Sequence, residues 1–255
     1  RLLPAAGIAL AGVLAYGMFA ADADQARDLR GDVFGAIGYV ANWRFIVDGR
    51  AYSELFSAPS PVQHFWSLAI EEQFYLLFPL LVFAVLRVGR GRRMLLGGVL
   101  AAGIVGSIAA SHAFAGDQLR AYYGTDTRAS ELLVGALLGV VCVRWSGPRT
   151  ERGRTVLGYA ALAAVFVVLF LWVTADQHDR WLFEGGLAAH AALIGLVIIA
   201  ARADTVVARG LGNRVLVGLG LISYGVYLYH WPLFLWLSPE RTGLSGPALF
   251  ALRSG

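Results

Sequence analysis

Polar side chains with helical spacing lie inside one apolar run, Gln63–Pro79, which continues to Leu86. The run has about the 20 residues that a helix needs to cross a bilayer. At about 100° per residue, several of its polar side chains share one face of the helix: His64, Ser67, Glu71 and Tyr75. Charged groups cost about 2.5–3.5 kcal/mol each at the centre of a membrane, so they are rare there and indicate function.

The chemistry that suits this polar stripe is proton transfer to or from a hydroxyl group. Glu71 lies about 10 Å along the helix from His64, and a carboxylate in a low-dielectric site can act as a general base or orient one. The alternative is a carboxylate that packs helices together and pairs with an arginine. Trp66 and Gln73 lie on the opposite face, where they could contact substrate or simply hold the helix in place. Glu72 lies between the two faces and could pair with a neighbouring helix.

A second group of polar residues opens the segment Tyr122–Gly139. Arg128 begins a predicted helix at its outer end, and Glu131, three residues on, could pair with it. In the functional interpretation, Arg128 neutralises Glu71 or an anionic intermediate. The alternative is an interfacial arginine that reaches lipid headgroups. Two residues form a small-residue face that predicts close packing of a neighbouring helix: Gly135 and Gly139.

A third group lies in the late apolar run, within Ser223–Pro232. Three side chains of this stretch share a helical face, namely Ser223, Tyr227 and His230. His230 is a candidate substrate contact or acid–base group. The alternative is packing within a belt of aromatic residues at the membrane interface.

These three stretches resemble the acyltransferase-3 family of membrane O-acyltransferases. The resemblance rests on Trp66-Ser67-Leu68, then Glu71, then Gln73-Phe74-Tyr75 and Pro79. It continues in Asp126-x-Arg128, which is followed by Leu-Leu-x-Gly-Ala, and in the late helix at Ser223–Pro232. The wording TDTRASELLVG is similar to bacterial acyltransferases of the peptidoglycan O-acetyltransferase and macrolide acyltransferase type.

The resemblance implies transfer of an acyl group, often acetyl, from a cytoplasmic acyl-CoA to a hydroxyl of an extracytoplasmic or membrane-linked glycan, or of another hydroxylated acceptor. It implies no bound cofactor and no metal; acyl-CoA is the donor substrate. It implies catalytic roles for the following residues: Glu71, Gln73, Tyr75 and Arg128. It implies substrate contacts for a further set: Trp66, Ser67, His64, Asp126, Ser223, Tyr227 and His230. In this scheme Glu71 orients or charge-balances a base, Arg128 offsets negative charge, and Gln73 fixes the geometry.

The family's arginine–histidine pair in its first helix has no counterpart in Leu2–Ala20, and its Phe-Phe-x-x-Ser-Gly-Phe-type stretch is also absent. We therefore expect residues 1–255 to form one acyltransferase transmembrane domain that lacks about two helices at its N-terminus and its last helix. The family's main catalytic base, a histidine, would then lie outside this chain, and the chain alone would be inactive. An extracytoplasmic esterase-like domain could follow.

Composition indicates a polytopic helical membrane protein. The chain is 58% hydrophobic and 15% charged, so it is more apolar than an ordinary soluble domain. Its one cysteine, Cys142, excludes an internal disulfide and a thiolate metal cluster. The net charge of +4 comes from arginines in short loops between apolar runs, which is typical of membrane orientation and argues against a nucleic-acid partner.

We predict an all-α transmembrane bundle with about seven full crossings: Leu2–Ala20, Phe65–Leu86, Met94–Ala113, Thr127–Val143, Thr155–Thr174, Trp181–Ala201 and Val215–Leu237. The arginine-rich loops Arg87–Arg93, Arg144–Arg154 and Arg202–Arg214 are predicted to be cytoplasmic. They could also bind the nucleotide end of acyl-CoA. The orientation requires that Val33–Val47 does not cross, so we predict an interfacial or re-entrant helix on the outer face.

The sequence thus favours a bacterial O-acyltransferase of the inner membrane that contacts acyl-CoA, a glycan acceptor and the bilayer. The alternative is a transporter or flippase for a glycan or lipid, which would also have many helices and buried polar groups. Against it, the chain has no internal repeat, and Pro79 lies beyond the polar stripe. A non-catalytic anchor or partner-binding subunit would not need three polar groups at one depth.

Overall fold

The computed structural model describes residues 2–19, 23–49, 60–143, 145, 147–176 and 178–254, and within them every regular element is helical. The elements are α1 (Leu2–Phe19), α2 (Ala23–Ile37), α3 (Ala41–Val47), α4 (Phe65–Val88), α5 (Arg93–Ala113), α6 (Gln118–Tyr123), α7 (Thr125–Cys142), α8 (Glu151–Thr174), a π-helical turn (Leu182–Gly186), α9 (Leu187–Ala201), α10 (Val206–Leu211), α11 (Arg214–Trp236), α12 (Pro239–Thr242) and α13 (Gly246–Ser254). The all-α prediction is confirmed.

Each of the seven predicted apolar runs forms a helix within a few residues of its expected bounds. Four helices in the described part are long and apolar enough to cross a membrane: Phe65–Val88, Arg93–Ala113, Glu151–Thr174 and Leu182–Ala201. A shorter apolar helix covers Leu3–Phe19. The full set of seven crossings therefore stays a prediction.

The chain divides into two units, one of Arg1–Ala69 with Gly218–Gly255 and one of Ile70–Val217. In the second unit, α7 packs against α5 and α9 through large side chains that cover glycines. The methyl of Leu133 lies 3.0 Å from where a Cβ on Gly103 would be, and a Cβ on Gly195 would overlap Leu138. The predicted small-residue face is wrong as a packing surface within the unit, because nothing lies within 4 Å of a Cβ on Gly135 or Gly139.

In the first unit, the segment predicted as one helix over Val33–Val47 is divided between α2 and α3. The break falls at Gly38–Val40, where Tyr39 takes a φ of 53° that no helix contains. Arg44 of α3 reaches back to α2, with its Nε donating to the buried Asp32 carboxylate at 2.8 Å. Because α3 has only 7 residues, it is too short to cross a bilayer by itself.

The end of α11 is held by α13. Arg253 donates from Nε to the carbonyl of Leu237 at 3.1 Å and from Nη2 to the carbonyl of Phe234 at 2.9 Å. The last carbonyls of a helix have no partner within the helix, so this arginine satisfies two of them. The Cζ of its guanidinium also lies over the Phe234 ring, 5.3 Å from the ring centroid.

Candidate active site

The first unit brings the turn before α4 against the middle of α11. The Tyr227 hydroxyl donates to the backbone carbonyl of His64, and the Ser67 Oγ lies 2.6 Å from the Tyr227 oxygen. A carbonyl oxygen can only accept, so the one hydroxyl hydrogen of Tyr227 points to His64. Ser67 must then donate to the Tyr227 oxygen. The direction of both hydrogen bonds follows from the residue types alone.

The second feature of this site is the imidazole of His230, one turn along α11. Its Nδ1 lies 2.6 Å from the carbonyl of Tyr227. Because that carbonyl only accepts, Nδ1 carries the ring proton, and Nε2 of the neutral ring keeps a lone pair. The ring also packs edge-on against Phe234 at 6.1 Å between centroids. A half-buried imidazole with one nitrogen fixed by the backbone and the other free to accept is the arrangement of a general base.

The third feature is the imidazole of His64, which is only 3% exposed and lies 5.6 Å from the His230 ring. Neither of its nitrogens reaches hydrogen-bond geometry with a residue of the described part. Burial is the main cause that lowers the pKa of His64 to about 3, and the neighbouring His230 is the second cause. His64 is therefore neutral near pH 7, buried beside His230.

The residues before α4 are held in place by two backbone carbonyls. Trp231 donates its indole N–H to the carbonyl of Ser60 at 2.9 Å, as Tyr227 does to that of His64. Neither Trp231 nor Ser60 was a predicted site residue. The sequence signal for Trp231 is its place in His230-Trp231-Pro232, a stretch that is also typical of an aromatic belt at the membrane interface.

In the second unit, Gln73 is held at the start of α7. The Thr125 hydroxyl donates to Gln73 Oε1 at 2.6 Å. The buried Ser107 of α5 braces the same turn, since its Oγ donates to the carbonyl of Asp126 at 2.6 Å and accepts from the N–H of Ser130 at 2.9 Å. Thr125 opens the TDTRASELLVG stretch but is not among the predicted site residues, and Ser107 lies in none of the three motif stretches.

Two arginines near the start of α7 are each paired with a carboxylate. The predicted pair of Arg128 with Glu131 is confirmed: Nε lies 2.8 Å from Oε1, and Nη2 donates to Oε2 at 3.3 Å. Tyr122 stacks below the Arg128 guanidinium, 5.5 Å from ring centroid to Cζ. Asp126, predicted to contact substrate, accepts from Arg120 at 2.7 Å.

The other predicted site residues are less well connected. Glu71 is exposed and accepts no hydrogen bond from a described residue, and Tyr75 is 55% exposed. Ser223 is exposed, and its hydroxyl donates back to the carbonyl of Gly220 at 2.9 Å. Trp66 is buried in the first unit. The predicted stripe also differs at its start, because α4 begins at Phe65 and leaves His64 in the preceding turn.

The described residues contain no group of three or more histidine, cysteine, aspartate and glutamate side chains able to hold a metal ion. The histidines outside the first unit have local partners. The His178 Nδ1 lies 2.5 Å from Asp176, and Trp172 donates to His190 Nε2 at 3.1 Å. Cys142 is buried and free.

The comparisons with known proteins extend over most of the chain. A family model described as an acyltransferase domain matches residues 5–251. Peptidoglycan O-acetyltransferase OatA of Listeria monocytogenes is 31% identical over 245 residues, which are 94% of this chain and 39% of that protein. O-acetyltransferase OatA of Staphylococcus aureus is 31% identical over 214 residues, 82% of this chain and 35% of that protein.

The chain thus spans less than half the length of the curated relatives that it matches. No solved structure matches it. The family model nevertheless covers nearly every residue, including all three stretches that carry the motifs. The chain belongs to the acyltransferase-3 family, as its motifs predicted.

Proposed function

We propose that this chain is the membrane part of an O-acyltransferase that transfers an acyl group, acetyl in the first instance, to a hydroxyl of a glycan. The donor is a cytoplasmic acyl-CoA, and the acceptor is an extracytoplasmic or membrane-linked glycan. Membership of the family and the names of the relatives support this function, since both relatives are O-acetyltransferases. Several long apolar helices support a membrane location, which we propose to be the inner membrane of a bacterium.

The observation that carries the proposal is the 2.6 Å contact between His230 Nδ1 and the carbonyl of Tyr227. It leaves Nε2 of His230 as the proton acceptor, so the base that we propose lies within this chain and takes the place of the histidine outside it that the resemblance implies. The acceptor hydroxyl oxygen forms a bond to the acyl carbon, and the bond between that carbon and the donor sulfur breaks. Nε2 of His230 takes the hydroxyl proton and passes it on to the leaving thiolate. Atoms and charge balance without a metal or a redox partner.

The remaining residues of the first unit hold this base. Tyr227 is fixed by the His64 carbonyl and by Ser67, so its own carbonyl is held at the position that binds His230. Trp231 adds a second tie to the same turn through Ser60. A base whose neighbouring residues are fixed by several hydrogen bonds loses little freedom when substrate binds, which favours the reaction.

Residues of the second unit are proposed to manage charge and geometry. Arg128 is the cation that offsets negative charge on the reacting groups, with Glu131 and Tyr122 fixing its guanidinium. Gln73 is a positioning residue held by Thr125. Glu71 is proposed to orient or charge-balance a base, and its exposure leaves it open to a ligand or to another part of the protein.

The arginines of the loops between apolar helices give the donor a place to bind. Arg87–Arg93 joins the end of α4 to the start of α5, and Arg202–Arg214 joins α9 to α11 and contains α10. Acyl-CoA carries several phosphates, and guanidinium groups bind phosphates in a bidentate manner. We propose that these loops face the cytoplasm and receive the nucleotide end of the donor. The transporter alternative is not favoured, because the family and both named relatives are acyltransferases.

The function is tested with the full gene product in proteoliposomes. Radiolabelled acetyl-CoA is supplied outside, with the coenzyme-binding side exposed, and a glycan acceptor is enclosed. We expect label on the glycan, and loss of that label in the variants Glu71→Gln and Arg128→Ala. The matched control is Arg180→Ala, whose side chain is 75% exposed and makes only a 3.8 Å ion pair with Glu184. It should transfer label at the normal rate.

The contrary result is equally specific. If no short acyl donor labels the glycan, but the protein accelerates movement of the glycan across the bilayer, the transporter interpretation is correct. If label appears and Glu71→Gln transfers it normally, the role given to Glu71 is wrong while the acyltransferase function stands.

A further inference from the structure

Three rings lie around the imidazole of His230, the proposed base. The Phe234 ring packs edge-on against it at 6.1 Å between centroids, and the rings of His64 and Tyr227 lie at 5.6 and 5.8 Å. Tyr227 is fixed by the hydrogen bonds of its own hydroxyl. Phe234 has no polar side-chain atom, so its ring can be fixed against His230 only by contacts that other residues make with it.

Phe234 lies in a part of α11 that its own helix holds weakly. Pro232 separates it from His230, and a proline inside a helix has no N–H to bond the carbonyl one turn earlier. The helix then ends at Trp236, and Ser238 takes an extended backbone with a ψ of 158°. The ladder of helical hydrogen bonds is therefore interrupted on one side of Phe234 and ends on the other.

Arg253 of α13 supplies what this last turn lacks. Its Nη2 donates to the carbonyl of Phe234 at 2.9 Å, and its Nε donates to that of Leu237 at 3.1 Å. The Cζ of the same guanidinium lies 5.3 Å from the centroid of the Phe234 ring, within the range of a cation–π interaction. One side chain thus fixes both the backbone and the ring of Phe234. A lysine has no planar fork with which to bond two carbonyls while it lies over a ring.

We propose that Arg253 is a positioning residue for the base: it holds the Phe234 ring against His230 and so limits the movement of the imidazole. The inference rests on the proposed function, in which Nε2 of His230 accepts a proton. The Nδ1 contact with the carbonyl of Tyr227 fixes one edge of the imidazole, and the Phe234 ring restricts its rotation about that contact. A misplacement of a catalytic group by about 1 Å can lower a rate about 10²-fold. Arg253 acts through Phe234, without contact with the reacting atoms.

The first test is spectroscopic and needs no activity. The full gene product is labelled with ¹⁵N in its histidines, and the His230 signals are assigned by their loss in His230→Gln. At pH 7 we expect one protonated and one unprotonated nitrogen signal, and in Arg253→Lys both should shift and broaden because the Phe234 ring no longer confines the imidazole. The matched control is Arg241→Lys, an arginine of the same unit whose Cζ lies 5.6 Å from the Tyr16 ring centroid. It should leave the His230 signals unchanged.

The second test is kinetic. Arg253→Lys should lower kcat for acetyl transfer about 10–100-fold with KM for acetyl-CoA unchanged, because the base is misplaced while the donor site is untouched. Phe234→Leu should lower kcat by a similar factor. In that background Arg253→Lys should have no further effect on kcat, because the ring through which Arg253 acts is gone. A purely structural role of Arg253 would lower Tm in both backgrounds and leave kcat per folded protein unchanged.

Two results would overturn the proposal. One is an Arg253→Lys protein that folds and keeps both the His230 signals and kcat of the wild type. The other is unchanged His230 signals in Phe234→Leu, which decides the question even if Arg253→Lys does not fold. If the His230 signals respond to both substitutions while the wild type transfers no acetyl group, the proposed function fails and the positioning role stands. If the wild type transfers acetyl and neither the signals nor kcat respond, only the positioning role fails.

Discussion

Substituting Tyr227→Phe removes one oxygen that makes two hydrogen bonds, one to the His64 carbonyl and one from Ser67. The ring and its packing remain. The His64 carbonyl is left without its donor, which destabilises the fold by about 1–3 kcal/mol, and the lost bond from Ser67 adds about 1 kcal/mol. We expect a total of about 3 kcal/mol. For a chain of this size, that lowers Tm by roughly 6–12 °C.

The assay is thermal unfolding of the full gene product in lipid nanodiscs, followed by circular dichroism. The matched control is Tyr229→Phe on the same helix, whose hydroxyl donates to the Ala5 carbonyl at only 3.5 Å, the limit of hydrogen-bond geometry. Ser67→Ala should lower Tm less in the Tyr227→Phe background than in the wild type. The double-mutant cycle should give an interaction free energy between Ser67 and Tyr227 of at least about 0.5 kcal/mol. Melting temperatures of Tyr227→Phe and Tyr229→Phe that agree within about 2 °C would refute the stabilising role of the hydrogen bonds at the Tyr227 hydroxyl.

Three further predictions concern stability in the same assay. Burial is the main cause that lowers the pKa of His64 from 6.5 to about 3, so the stabilisation from neutral His64 is fully present above about pH 6.5 and falls by about 2 kcal/mol at pH 5. His64→Gln should flatten this decline in the free energy of unfolding. An equal decline in the variant would contradict the assignment of the pH dependence to His64. Gly195→Ala should destabilise the fold by about 1–3 kcal/mol, because the new methyl group would overlap Leu138 of α7. Gly98→Ala has nothing within 4 Å of the new methyl group and should be neutral or slightly stabilising. Similar losses of stability in both variants would count against the packing of α9 on α7. Asp32→Asn should lower the free energy of unfolding by about 3 kcal/mol, because it breaks the buried ion pair with Arg44. Asp48→Asn removes the 27% exposed partner of the same arginine and should lower it by about 0.5 kcal/mol. A lower melting temperature for Asp48→Asn than for Asp32→Asn would contradict this ranking of the two ion pairs.

Apolar periodicity predicts the long apolar helices, because each of those runs is long and bounded by charged loops. It also placed Tyr227 and His230 on one face of α11, where the structure joins them. The same periodicity places Ser223 on that face, but a serine inside a helix can bond its own preceding turn, and the Ser223 hydroxyl does so at Gly220. Its predicted substrate contact stays a prediction. Local spacing does not decide between those two outcomes.

The sequence does not predict the side-chain contacts between residues that lie far apart in the chain. Ser67 and Tyr227 are separated by 160 positions, and Gln73 and Thr125 by 52. Such pairs depend on how the helices pack against one another, which the periodicity of a single helix does not report. The break at Tyr39 was missed for a different reason. A positive φ at a tyrosine is set by tertiary contacts and not by residue preference.

The central claim is that Nε2 of His230 takes the proton of the acceptor hydroxyl. The most direct measurement is the single-turnover rate of acetyl transfer from acetyl-CoA to a glycan for His230→Gln, beside the control His178→Gln at an exposed histidine of the second unit. Loss of a general base lowers such a rate by about 10²–10⁴-fold. The account predicts that loss for His230→Gln and an unchanged rate for His178→Gln. A His230→Gln protein that folds and transfers acetyl at the wild-type rate would contradict it.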